Sequence, residues 1–469
     1  MRNAAVQTRV RADHRRADLY CALGGALLVA TAFLVPRILS EQWRNDLYAG
    51  AAPIFGSWLP HIGWGTGPAI GIAALVVAYG PNLARRLPWR RALLLTWVTS
   101  LAWAFALAMV DGWQRGFAGR LTTHDEYLHE VGGVTDIAAM LRGFSGRILD
   151  FQPDSWTTHV SGHPPGALLS FVLLDRAGLG GGAWAALLCM SVGCAAAVAV
   201  PVTIRTLGAD AEQKARAALP FLALAPAAIW LAVSADALFA GVTAWAVALS
   251  AIATRQRRGW VVAACGAGAL FGFALFLSYG MILMAVPAAA VLLARGLRPA
   301  LPALVAALLV VALFNAAGFW WLDGYHLVVQ RYYQGIASDR PYSYWVWANL
   351  AGTVCAIGLA PVAAAHRVVR GLRFGTLLRG PDTPGSAGRL VRWRDAVDPV
   401  ALVAGAGFAA LLLADLSGLS KAETERIWLP FEVWALAGAA LLPARGVRGW
   451  LAVQAGGTLV LAHVILTNW

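Results

Sequence analysis

The chain has 469 residues, 59% of them hydrophobic and 13% charged, with a mean hydropathy of +0.63 and a formal net charge of +13. That balance excludes a water-soluble globular domain and predicts an all-α polytopic membrane protein. The cations sit mostly in short loops between apolar runs, where they act as topology signals, so the charge is no argument for a nucleic-acid partner.

Residues 1–18 are basic and polar, and no small-residue cleavage signature follows the apolar run that begins at Leu19, so that run reads as the first span rather than a signal peptide. Apolar runs long enough to cross a bilayer lie near 19–37, 63–80, 91–111, 182–204, 215–233, 237–254, 260–279, 281–295, 300–321, 344–366, 398–416, 427–442 and 449–467. They predict about thirteen transmembrane helices. A further run, Pro164 to Gly178, is short, opens with Pro-Pro-Gly and carries Asp175 and Arg176. If it crossed, every later basic loop would face outward, against the positive-inside rule. It is therefore read as a re-entrant or interfacial helix, in a multi-pass protein of the inner (plasma) membrane with its N-terminus cytoplasmic and its C-terminus outside.

This reading gives a cytoplasmic basic N-terminus over 1–18 and one integral-membrane domain over 19–469. Within the domain lie an N-terminal hairpin at 19–80, a large outer loop at 112–178 and a basic cytoplasmic loop at 367–397. The last contains Gly-Pro-Asp-Thr-Pro-Gly-Ser and seven Arg, as expected of a lipid-facing connector. The five cysteines fall inside apolar segments without metal-type spacing and imply no disulfide framework.

The outer loop carries the chemistry. It opens with His124-Asp125-Glu126-Tyr127 and closes with His159-Val-Ser-Gly-His163-Pro164-Pro165-Gly166. Leu128, Val131, Val134, Ile137, Ala138 and Leu141 have helical spacing, which predicts an amphipathic helix along the membrane surface. A carboxylate at that boundary is suited to deprotonating an acceptor hydroxyl or to coordinating a divalent cation. Pro164 and Pro165 fix the backbone after His163, pinning a hydrogen-bonding ring where an anionic lipid head group would lie. Asp236 is an acid close to hydrocarbon, which is costly unless it faces a cavity or a partner. Ser420 to Arg426 is dense in charge, and Lys421 with Arg426 would clamp a phosphate. Between Asp323 and Tyr344, Arg331 and Tyr332 belong to an Arg- and aromatic-rich stretch suited to sugar rings, although the same residue types also form interfacial belts.

An acidic pair after an early span, an amphipathic segment, a His-Pro-Pro helix entry and a later outer acid together resemble the GT-C family of integral-membrane glycosyltransferases. By motif the resemblance covers about residues 91–240, and beyond that it rests on hydropathy. It implies a bacterial enzyme that moves a sugar from a polyprenyl-phosphate carrier to an envelope glycan, lipid or protein acceptor on the outer face. Asp125 would be the base or metal ligand with Glu126 beside it, Asp236 a second central acid, and His163, with His159 near it, a donor-phosphate contact. No cofactor is required with certainty; Asp125 and Glu126 are the candidate ligands of a divalent cation, Mg or Mn. Two spans precede the one that leads into the acidic loop, where the family commonly has one, which leaves the hairpin 19–80 without an assigned role. The rival readings are a transporter or flippase of lipid-linked sugars, which predicts repeated halves and mid-membrane ionisable groups, and a non-catalytic envelope-assembly protein. No repeated halves are visible.

Overall fold

A computed structural model describes residues 2–208, 210–255, 257–373 and 386–468. Residues 374–385, which hold most of the Gly-Pro-Asp-Thr-Pro-Gly-Ser run of the basic connector, lie outside the described residues. The chain is helical almost throughout, and among the described residues seven helices are long and apolar enough to cross a membrane. They are His14–Ile38, Thr66–Arg86, Trp89–Ala108, Gly182–Thr206, Ala235–Arg255, Trp260–Leu277 and Pro399–Leu416. An eighth span is formed if Ala300–Ala316 and Trp321–Gln334, bent by 74° at the break between them, are taken together. This is an all-α polytopic membrane protein.

The other expected spans fold as shorter or interrupted helices, and their sequences show why. The run 215–233 forms Ala211–Ala223, stops ahead of Pro226 and resumes as the single turn Ala228–Leu231. The run 344–366 is cut after Tyr342–Ile357 by Gly358, whose φ of 81° is the left-handed conformation that glycine adopts without a steric penalty. The runs 281–295 and 427–442 give the apolar helices Tyr279–Arg295 and Leu429–Leu441, and 449–467 gives Val447–Val464. Pro165–Arg176 is helical for 12 residues. At a rise of about 1.5 Å per residue it is some 18 Å long, well short of a hydrocarbon core of about 30 Å.

Small residues let the spans approach closely. Gly268 and Gly272 lie against Ala303 and Ala307 of the neighbouring helix, and a Cβ at either would overlap that helix's backbone. Helix starts are built from side chains: Asp398 accepts from the Val400 and Ala401 N–H groups at 2.9 and 3.3 Å, with Pro399 in the first turn.

The amphipathic segment expected over 128–141 is two short helices, Tyr127–Val131 and Ile137–Gly143. Gly132-Gly133 separates them, and Asp136 caps the second through the Ala138 and Ala139 N–H groups. Val131, Val134 and Leu141 pack into the protein. The N-terminal hairpin is tied in at its loop. Gly56–Trp58 pairs antiparallel with Ile465–Thr467, and the Phe55 N–H donates to Glu425 Oε1 at 2.8 Å.

Candidate active site

The two ends of the 112–178 loop meet at Asp125. The backbone N–H of His159 donates to the Asp125 carbonyl at 3.0 Å, its ring Nδ1 donates to the same oxygen at 2.8 Å, and Thr158 Oγ1 donates to Asp125 Oδ1 at 2.9 Å. Glu126, the residue before the Tyr127–Val131 helix, has an extended backbone with φ −97° and ψ 166°. Extended backbone sends successive side chains to opposite sides. The Asp125 side chain is accordingly 64% exposed while Glu126 is only 3% exposed.

Behind Asp125 lies a buried charge cluster assembled from four stretches of chain. Arg426, in the turn Thr424–Ile427, donates through Nη1 to Asp236 Oδ2 and through Nη2 to Glu423 Oε2 at 2.9 Å. Its Nη2 also lies 3.5 Å from His159 Nε2. Asp236 occupies the first turn of the Ala235–Arg255 helix, where the helix dipole favours a negative charge. Because a carbonyl can only accept, the contact to Asp125 places the His159 proton on Nδ1 and leaves Nε2 to accept from Arg426. Burial, with Arg426 and His163 nearby, holds His159 well below its ordinary pKa, so the ring is neutral.

Glu126 stands 3.6 Å from His159 Nδ1, and its Oε2 is buried with no hydrogen-bond partner among the described residues. Burial pushes its carboxyl up to about 8; Arg426 opposes that shift and Asp236 adds to it. A carboxyl poised near neutrality is suited to proton transfer. His163 is partly exposed, and its Nδ1 lies 2.8 Å from the His159 carbonyl and 2.9 Å from the Tyr127 hydroxyl, which leaves Nε2 as the ring's remaining hydrogen-bonding atom. Burial lowers its pKa, while Asp236 and the His159 carbonyl act in the opposite direction.

Glu126, His159, Asp236 and Arg426 are thus together, with Asp125 and His163 alongside. Lys421 and Tyr332 adjoin this cluster through Arg340, which bonds both the Lys421 carbonyl and Glu423, whereas Arg331 is held by Asp150 of the outer loop. Lys421 Nζ donates to the Ala337 carbonyl at 2.9 Å, and its backbone N–H donates to the Tyr332 hydroxyl at 3.1 Å. Arg331 pairs with Asp150 at 2.7 Å. The Arg426 fork is held by two carboxylates, so a phosphate contact there requires one of them to be exchanged. Among the described residues no group of three or more His, Cys, Asp or Glu side chains would hold a metal ion. A divalent cation on the exposed Asp125 would draw most of its oxygen ligands from water or a phosphate.

Several supporting residues escape sequence reasoning. Ala422 and Glu423 both have left-handed backbones, with φ of 70° and 62°, a conformation that costs a non-glycine residue about 1–2 kcal/mol. Asn349 holds them there, its Oδ1 accepting from the Ala422 N–H at 3.3 Å and its Nδ2 donating to Asp415 and to the Ser420 carbonyl at 2.9 and 2.8 Å. Arg340 donates to the Lys421 carbonyl at 2.7 Å and pairs with Glu423 at 3.3 Å. Strain maintained by buried polar bonds marks this turn as a built feature. Glu425, which helical spacing would pair with Lys421, instead takes the Phe55 N–H of the N-terminal hairpin, and burial pushes its carboxyl up to about 7. The hairpin therefore helps to position the turn that carries Arg426.

No family model and no curated protein matches the chain. Among solved structures, the crystal structure of ArnT from Cupriavidus metallidurans in the apo state is similar at 16% sequence identity and a TM-score of 0.44, over 84% of this chain and 76% of that one.

Proposed function

We propose that the protein is a glycosyltransferase of GT-C type that moves a sugar from a polyprenyl-phosphate carrier to an envelope acceptor at the outer face of the inner membrane. The observation that carries this reading is the enclosure of Glu126, His159, Asp236 and Arg426 directly behind an exposed Asp125, at the ends of membrane-spanning helices. A lipid-linked donor presents its sugar and phosphate at that depth.

In the proposed reaction the acceptor hydroxyl attacks the anomeric carbon, the bond from that carbon to the carrier phosphate breaks, and its electron pair leaves with the phosphate. Asp125 takes the hydroxyl proton because its carboxylate is the accessible one, and Glu126 serves as the buried proton-exchanging partner. Lys421 faces the departing phosphate with two ammonium protons beyond the one given to Ala337. His163, whose Nδ1 proton goes to the His159 carbonyl, donates to that phosphate through Nε2 only as the imidazolium that the arriving negative charge favours. Arg331 and Tyr332 border the sugar. Arg426 holds Asp236 and Glu423 as a fixed electrostatic frame. A single displacement inverts the anomeric centre; retention would need a second carboxylate about 5 Å away, across the sugar.

The test is reconstitution of the purified chain in liposomes with radiolabelled polyprenyl-phosphate sugars and a panel of acceptors. Label in the acceptor with inverted anomeric configuration supports the proposal. Movement of intact lipid-linked sugar across the vesicle, with the sugar–phosphate bond unbroken, identifies a flippase instead.

A further inference from the structure

The end of the molecule remote from the carboxylate cluster contains a cleft of about 810 Å³. It is lined by Lys214, Arg295, Arg367, Arg370, Arg373 and Arg394, six cations drawn from four stretches of the chain. We propose that this cleft is an anion site that binds a phosphate-bearing group, with the head group of an anionic membrane lipid as its natural source.

Placement comes first. Asp236 begins the Ala235–Arg255 helix and Arg255 ends it, donating there to the Arg205 carbonyl. Twenty-one residues at about 1.5 Å each separate the two ends by about 30 Å. In the same sense Asp398, in the cleft, begins the Pro399–Leu416 helix, while Asp415 near its other end binds Asn349 beside Arg426. The cleft therefore lies at the opposite ends of the spans, at head-group depth, where the concentration of Arg in the flanking loops obeys the positive-inside pattern.

Charge comes second. Three carboxylates, Asp210, Asp395 and Asp398, also line the cleft, leaving cations in excess. Lys214 is paired with Asp398 at 2.6 Å, and Arg367 with Asp18 at 2.7 and 2.8 Å. Arg370 instead meets His14 Nδ1 at 2.7 Å, and among the described residues no carboxylate pairs with it. Arg394 spends Nε on the Leu293 carbonyl and likewise has no carboxylate partner among the described residues. Third, the Ala211–Ala223 helix starts at the cleft, Asp210 before it forms no side-chain cap, and Glu212 in its first turn is committed to Arg205 and Arg216 at 2.8 and 2.7 Å, so the first-turn N–H groups are not offset by that carboxylate. A cavity of this size with several converging guanidinium groups suits bidentate recognition of phosphate oxygens.

The experiment uses the full chain in a neutral detergent and follows its thermal unfolding while cardiolipin, phosphatidylcholine or inorganic pyrophosphate is titrated in. Cardiolipin is expected to stabilise it saturably and phosphatidylcholine not at all. Arg295→Gln with Arg370→Gln should weaken that affinity on the order of tenfold or more. Arg445→Gln with Arg448→Gln, exposed cations outside the cleft, should leave it unchanged. If the first pair does not fold, Arg394→Gln alone and displacement of fluorescent cardiolipin by pyrophosphate read the same site. Saturable binding of pyrophosphate without cardiolipin keeps the phosphate site and assigns it to a soluble ligand. Equal stabilisation by phosphatidylcholine, or equal weakening by the Arg445/Arg448 pair, overturns the proposal.

Discussion

Arg426→Gln strands Asp236. The two residues are 4% and 2% exposed, and their side chains meet directly, so the carboxylate loses its counter-ion where water cannot replace it. Removing one partner of a buried pair costs about 3–5 kcal/mol. Glu423 suffers less, because Arg340 still reaches it at 3.3 Å and it is partly exposed. Asp236→Asn should cost less, since Glu423 at 2.9 Å still balances the Arg426 charge. Combining Asp236→Asn with Arg426→Gln removes both charges together, and the double variant should be more stable than the sum of the two losses implies, with a coupling of about 2 kcal/mol or more. The assay is a double-mutant cycle on reversible unfolding in mixed micelles, followed by circular dichroism. Single variants within about 1 kcal/mol of wild type, or strictly additive losses, would refute the reasoning.

Glu126 makes stability depend on pH in a defined direction. Its folded-state pKa, near 8, is raised above the ordinary carboxylate value, so the native protein holds a proton that the unfolded chain releases. Its contribution is therefore full below about pH 4.5 and is lost as pH rises through about 8. Glu126→Gln removes this dependence, and the wild type should lose on the order of 2 kcal/mol relative to the variant between pH 5.5 and 7.5; an unchanged difference across that interval would contradict the assignment. Ala422→Gly relieves a left-handed alanine and should change stability by no more than about 1 kcal/mol in either direction, whereas Ala422→Val should destabilise clearly, both read by the same unfolding assay. Gly268→Val drives a branched side chain into the backbone at Ala303 and should cost several kcal/mol or prevent folding, measured as the yield of monodisperse protein after extraction.

The helical membrane architecture is legible because hydrophobic run length is a local property, and the seven long helices all fall on expected runs. What hydropathy does not register is interruption: Pro226, Gly358 and the break before Trp321 shorten or bend spans whose composition alone would continue them. At the site, the acids and histidines of the 112–178 loop are visible as a polar interval. Their mutual arrangement is not, since it depends on the Asp125 carbonyl accepting twice from His159 and on an extended backbone that buries Glu126 while exposing Asp125. The pairing of Arg426 with Asp236 spans 190 residues and has no local signature. The Phe55 contact to Glu425 is equally silent in sequence, so only the structure ties the N-terminal hairpin to the turn that carries Arg426. The i, i+3 spacing of Glu423 and Arg426 was the one signal that would have suggested their contact.

The most direct test of the proposed function is the rate of radiolabelled sugar transfer from polyprenyl-phosphate donors by membranes carrying wild type, Asp125→Asn or His163→Ala, with folding of each variant verified. Transfer by wild type, a loss of at least about a hundredfold in Asp125→Asn from removal of the base, and a smaller loss in His163→Ala are expected. Transfer by folded Asp125→Asn at the wild-type rate would contradict the placement of the reacting centre at this loop.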